Sequence, residues 1–204
     1  VAFKPDDQSI FIGTHSGGRV VSTPVAKLLP LPPELAPKPG SKVALKPLVP
    51  TEFKSLAGAR GLISADGTVL VSGTNGKDTY TVTATVPQGP PVTAIRLEVL
   101  PDKTLPAQGP GRAANGNFVL SEFNAKALST GTEKTEKNIM FTNVTADYSQ
   151  NGWPVANTRD QKEDTGWGIA GSIGRSHIAT FQTAAETPIK AGTTLVFTMS
   201  QQFS

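Results

Sequence analysis

Three short stretches of this chain hold residue types that could do chemistry. The densest is Gly109-Pro110-Gly111-Arg112-Ala113-Ala114-Asn115-Gly116-Asn117-Phe118. Arg112, Asn115 and Asn117 would offer hydrogen bonds to a polar ligand from a glycine-stiffened loop. The competing reading is a structural loop whose glycines supply positive φ and whose arginine pairs with a nearby carboxylate. The glycine spacing is not a dinucleotide fingerprint, no helix follows to receive a pyrophosphate, and no Gly-Lys-Ser/Thr makes a phosphate-binding loop. The second stretch is Asp160, Glu163 and Asp164, just before Thr165-Gly166-Trp167. Calcium takes about six to eight oxygen ligands, so Asp160 and Asp164 are candidate ligands, although the pattern is not an EF-hand. A solvated acidic turn is the commoner outcome of such a cluster. The third is Trp153, between Gly152 and Pro154, which suits a platform for the C–H face of a sugar ring. Trp167, the other tryptophan, reads as a core plug.

Catalysis has little to rest on. His15 and His177 lie far apart and neither belongs to a metal-spaced pair. There is no Gly-x-Ser-x-Gly elbow. Glu98 and Glu122 could form the carboxylate pair of a glycosidase, yet Glu98 falls on the expected wet face of a strand. The chain is therefore expected not to be an enzyme. It has no cysteine, which excludes disulfides, thiolate metal sites and cysteine nucleophiles. Beyond a structural calcium, no cofactor is expected. Asn143-Val144-Thr145 fits a glycosylation acceptor, a tripeptide that arises easily by chance.

The elements that must position these residues are strands. Between Asp78 and Val86, Tyr80, Val82, Ala84 and Val86 alternate with threonines, a period of two. From Val92 to Leu100, Ile95, Leu97 and Val99 point one way, with Arg96 and Glu98 expected toward water. Leu195, Phe197 and Met199 share a face of a last strand, Thr194–Gln201. Further strands are predicted at Arg60–Ser64, Thr68–Ser72, Asn117–Ala127, Asn138–Ala146 and His177–Thr183. With no helical stripe, the fold class is all-β, an antiparallel sandwich or jelly roll over residues 52–204.

Two other zones precede it. Residues 1–26 alternate short apolar runs with turn residues, as in Ser9-Ile10-Phe11-Ile12-Gly13 and Gly17-Gly18-Arg19-Val20-Val21. They read as a propeller-blade-like fragment, which alone cannot bury its faces, so these strands either belong to a propeller upstream or pack on the sandwich. Residues 27–51 read as a proline-rich, semi-rigid linker. The formal charge of +3 lies within residues 1–54, leaving the sandwich neutral. A neutral sandwich has no phosphate-tracking stripe, so nucleic acid is not the expected partner. No run of ~18 apolar residues exists to span a membrane. Val1 opens in mid-strand with no signal peptide, so the chain reads as a fragment.

Asp78-Thr79-Tyr80-Thr81-Val82, Ile95-Arg96-Leu97-Glu98-Val99-Leu100-Pro101-Asp102 and the run from Gly109 to Phe123 resemble a region of planctomycete-type cytochrome-associated proteins. So do Ala146-Asp147-Tyr148-Ser149-Gln150 and Asp164-Thr165-Gly166-Trp167. The likeness spans about Phe53 to Gln201. It implies an exported multidomain parent with c-type cytochrome domains and, in some members, WD-repeat propellers. In that family another strand follows the region, whereas this chain stops at Ser204. Asp164-Thr165-Gly166-Trp167 is also similar to discoidin-like, galactose-binding sandwiches, whose loops at one end bind sugars or surfaces and which often hold a structural calcium. Here Gln161 follows Asp160 where that pattern has glycine.

The resulting expectation is a non-catalytic module, exported to the periplasm or cell surface, that binds a polysaccharide or cell-surface glycan. Its contacts would be Arg112, Asn115, Asn117, Trp153 and Asp164. The alternative is a structural spacer that docks a propeller against neighbouring cytochrome or catalytic domains of the parent; a glycoside-active enzyme comes third. A binder should expose Trp153 and Arg112 in one concavity, and a spacer should bury them.

Overall fold

The computed structural model describes residues 2–4, 9–15, 46–129, 135–184 and 188–203. The strands among them are β1 (Ala2–Lys4), β2 (Ser9–His15), β3 (Lys46–Pro47), β4 (Pro50–Ser55) and β5 (Arg60–Ile63). Then come β6 (Val69–Ser72), β7 (Asp78–Thr85), β8 (Ala94–Leu100), β9 (Val119–Leu120) and β10 (Glu122–Leu128). The last are β11 (Glu136–Asn138), β12 (Phe141–Ala146), β13 (Trp167–Gly168), β14 (His177–Thr183) and β15 (Thr194–Gln201). Two short 3₁₀ turns, Pro106–Gln108 and Val155–Arg159, are the only helical pieces among the described residues. No helix there is long and apolar enough to cross a membrane. The strand expected at Gly17–Val21 and most of the proline-rich stretch lie outside the described residues.

The architecture is all-β and sandwich-like. One sheet runs β12-β14-β8-β2-β1-β3, with β6 also on β2 and β5 on β6. The other runs β11-β10-β15-β7-β4, and β9 with β13 makes a small ribbon. Strand β2 runs parallel to β8 and β6; every other ladder among the described strands is antiparallel. Strand β15 is central in its sheet, paired with β10 on one side and β7 on the other.

The period of two explains the core. Tyr80, Val82 and Ala84 of β7 and Leu195, Phe197 and Met199 of β15 are buried, as are Ile95, Leu97 and Val99 of β8. These faces close on one another in a single hydrophobic cluster. Phe123 of β10 ties the layers together, stacking at 4.1 Å on Phe181 of β14 and lying 6.2 Å from Phe197. Each such aromatic pair adds about 0.5–1.5 kcal/mol beyond area burial. Trp167 is fully buried, as expected of a plug, with its indole N–H donated to the Tyr148 carbonyl at 2.8 Å.

Strand β8 departs from its expected pattern. Every residue from Ala94 to Leu100 is buried. Glu98, expected in water, is 1% exposed, and Arg96 is buried beside it. Alternation places these two side chains away from the hydrophobic core, but the face they occupy is covered. Sequence alternation reports which residues share a face, not whether that face meets solvent.

Candidate functional site

The C-terminal ends of β8, β12 and β15 and the N-terminal ends of β7 and β14 converge at one end of the double layer. The longest described connections, residues 101–118 and 147–166, gather there. The sequence-predicted ligand and calcium contacts, Arg112, Asn115, Asn117, Trp153, Asp160 and Asp164, fall on these loops.

The 109–118 loop is a tightly crossed hairpin. Gly111 donates its N–H to the Gly116 carbonyl at 3.0 Å, and Gly116 has φ +76°. A Cβ on Gly109 or Gly111 would run into the backbone of Gly116 or Asn117, so only glycine fits there. From this frame Arg112 reaches down to the end of β7. Its Nη1 donates to the Thr74 carbonyl at 2.7 Å and its Nη2 to the Tyr80 hydroxyl at 2.6 Å, with Asp78 Oδ2 at 3.8 Å. The Arg112 side chain is only 10% exposed. Asp78 is held in turn by the Ser55 hydroxyl and the Ala57 and Thr79 amides. Burial pushes the Tyr80 phenol up, although Arg112 acts against it. Beneath Arg112 lies a crevice of about 40 Å³ walled by Val71, Leu97, Val99, Phe118 and Met199. That is room for about three waters.

The other predicted contacts separate into two groups. Asn117 faces inward: its Oδ1 accepts the Ile169 amide at 3.0 Å and its Nδ2 donates to Gln150 Oε1 at 3.3 Å. Gln150 Oε1 also accepts the Ala170 amide, and the Gln150 carbonyl accepts the Trp153 amide at 2.9 Å. Asn117 therefore braces the loop that carries Trp153. Asn115, exposed, accepts the Asn117 amide. Trp153 is half-buried, with the ring of exposed Phe203 edge-on at 4.6 Å and 87°. Trp153 does not line the crevice under Arg112.

The acidic stretch forms a separate turn. Asp160 accepts the Thr165 hydroxyl at 2.7 and 2.9 Å and the Lys162 amide at 3.0 Å, while Asp164 is exposed. Gln161 takes φ +62°, a left-handed conformation uncommon for a residue other than glycine. Among the described residues no group of three or more His, Asp or Glu could hold a metal ion. With Asp160 committed to Thr165, this arrangement does not fit a calcium cage as it stands.

Glu98 and Glu122 lie on the outer faces of different sheets and do not face each other across a cleft. Burial pushes Glu98 up to about 7, with Arg96 opposing and Asp147 adding to the rise. Burial also raises Glu122, against the Gln161 amide that it accepts. A constellation that sequence reasoning missed joins β12 to β14. His177 Nδ1 lies 3.1 Å from Asp147 Oδ2, its Nε2 lies 2.7 Å from the Ser172 carbonyl, and Asp147 Oδ1 accepts the Ile178 amide at 2.7 Å. Asp147 and His177 meet because β12 and β14 pair; no local motif announces them. Gln150 was likewise missed, a single amide whose role appears only once three loops converge.

No family model, curated protein or solved structure matches this chain.

Proposed function

We propose that this chain is a non-catalytic, galactose-binding-like sandwich that binds a glycan or glycan-bearing surface through the rim around Trp153. The observation that carries the reading is the Trp153–Phe203 pair, a half-buried and an exposed ring set edge to face, Trp153 on a loop braced by Gln150 and Asn117 and Phe203 just after β15. Partly solvated aromatic rings, one of them on a braced loop, give a ligand an apolar surface with little ordering cost. Asn115 and Asp164, both exposed, would supply polar contacts. In this reading the parent is an exported multidomain protein of the planctomycete-type cytochrome-associated kind, with a jelly-roll sandwich and a blade-like N-terminal segment. A structural calcium at Asp160 and Asp164 would require the Asp160–Thr165 hydrogen bonds to break, and a chelator-dependent fall in melting temperature is its test.

One observation favours the spacer alternative. Arg112 spends both Nη groups on internal acceptors, as expected of a loop built for structure. Two variants separate the readings on a polysaccharide array. Trp153→Ala should weaken binding at least about tenfold with unchanged melting, whereas Arg112→Ala should lower stability by about 1–3 kcal/mol through the acceptors it strands. Absence of binding to every polysaccharide by the intact chain would remove the glycan reading and leave the spacer.

A further inference from the structure

The pairing of β12 with β14 buries the His177 ring between two acceptors. The side chain is 2% exposed, and both nitrogens are engaged, Nδ1 by the Asp147 carboxylate and Nε2 by the Ser172 carbonyl. Neither partner has a proton to give at that atom. A neutral imidazole carries one N–H, so it can satisfy only one of them and turns a lone pair toward the other. Only the imidazolium donates to both.

We propose that His177 is an imidazolium latch that, while protonated, fastens the 169–176 loop and the end of β12 to the start of β14, and releases one of them on losing its proton.

The same few residues close the seam from both sides. Asp147 holds His177 with one oxygen and the Ile178 amide with the other, and its side chain is 42% exposed, which gives the proton a route to solvent. Ser172 donates its own amide to the Ile169 carbonyl, and the Tyr148 hydroxyl donates to the Ala170 carbonyl, so the loop held by Nε2 also carries the neighbours of Trp167. The Tyr148 ring lies 5.3 Å from the imidazole.

The charged groups around the latch act in both directions. Burial works against the His177 charge, but the hydrogen bonds to Asp147 and Ser172 and the Asp147 charge outweigh it and hold the imidazole above its ordinary value; Arg175 opposes them. Burial would raise Asp147, but His177 and the Ile178 amide hold it low. On β8, Glu98 and Arg96 both interact with the Asp147 charge. On β2, the backbone register sets His15 opposite Leu100. The latch is thus closed below the His177 pKa and opens as pH rises through it.

The test is a nitrogen-detected imidazole titration of the intact chain, with His15→Ala to assign the two histidines, run alongside amide exchange of residues 169–176 corrected for intrinsic rate. The expected result is a His177 ring protonated at both nitrogens at pH 6, a pKa above 6.5, and a fall of at least tenfold in loop protection as that pKa is passed. Asp147→Asn should lower the pKa and move the protection step with it, even if overall stability falls. A singly protonated ring at pH 6, or protection that stays level across the titration, would overturn the latch.

Discussion

Strands β7 and β8 follow the same arithmetic and meet different fates. Each places alternate apolar side chains in the core: Tyr80, Val82 and Ala84 in one, Ile95, Leu97 and Val99 in the other. The second face of β7 is threonine, part-exposed or exposed. The second face of β8 holds Arg96 and Glu98, both buried. Charged side chains are almost never fully buried without partners, because desolvation disfavours their charged forms. Here it pushes Arg96 down to about 10 and Glu98 up to about 7. The Glu98 Oε2 atom finds no hydrogen-bond partner among the described residues, the arrangement in which a carboxyl keeps its proton. The difference teaches that a charged residue in a strand pattern marks a second face but does not say that the face is wet.

The largest test of the comparison is on the shared feature. Leu97→Ala should cost about 2–5 kcal/mol in urea unfolding, since it deletes a buried side chain between the layers; a loss below about 1 kcal/mol would mean that β8 does not seat in the core as β7 does. The next probes the covered face. The folded-state pKa of Glu98 lies above its unfolded value, so its contribution to stability is complete below about 4.5 and is lost as pH rises through about 7. Stability should fall by roughly 3 kcal/mol across that window, and Glu98→Gln should abolish most of this fall when melting is followed against pH. An unchanged profile would mean that the outer face of β8 is as wet as that of β7. The smallest is the control on β7, where Thr81→Ala should change stability by no more than about 0.5 kcal/mol.

Much of the fold was legible because alternation is a local property. The strands expected at Asp78–Val86, His177–Thr183 and Thr194–Gln201 appear with nearly those bounds. Strand β4 was not foreseen as such, since Pro50 begins it within a stretch read as linker. Strands β11 and β13 are too short to carry a period. At the site, the Gly109–Phe118 loop stood out by composition, and the reading of Arg112 as pairing locally with a carboxylate matches its place beside Asp78. Asn117 was legible as a hydrogen-bonding residue but not as one facing Gln150 and Ile169, because the loops that meet there are distant in sequence. The same distance hid Asp147 and His177.

The central position of β15 has a kinetic consequence. Strands β7 and β10 do not pair with each other; each pairs with β15, which follows both in the chain. During synthesis the middle of that sheet is therefore missing until β15 has emerged, and two strands with apolar faces wait for it. Long-range strand pairing of this kind slows folding, and waiting edges invite association with other chains. Refolding should be slow, with aggregation competing most before β15 docks.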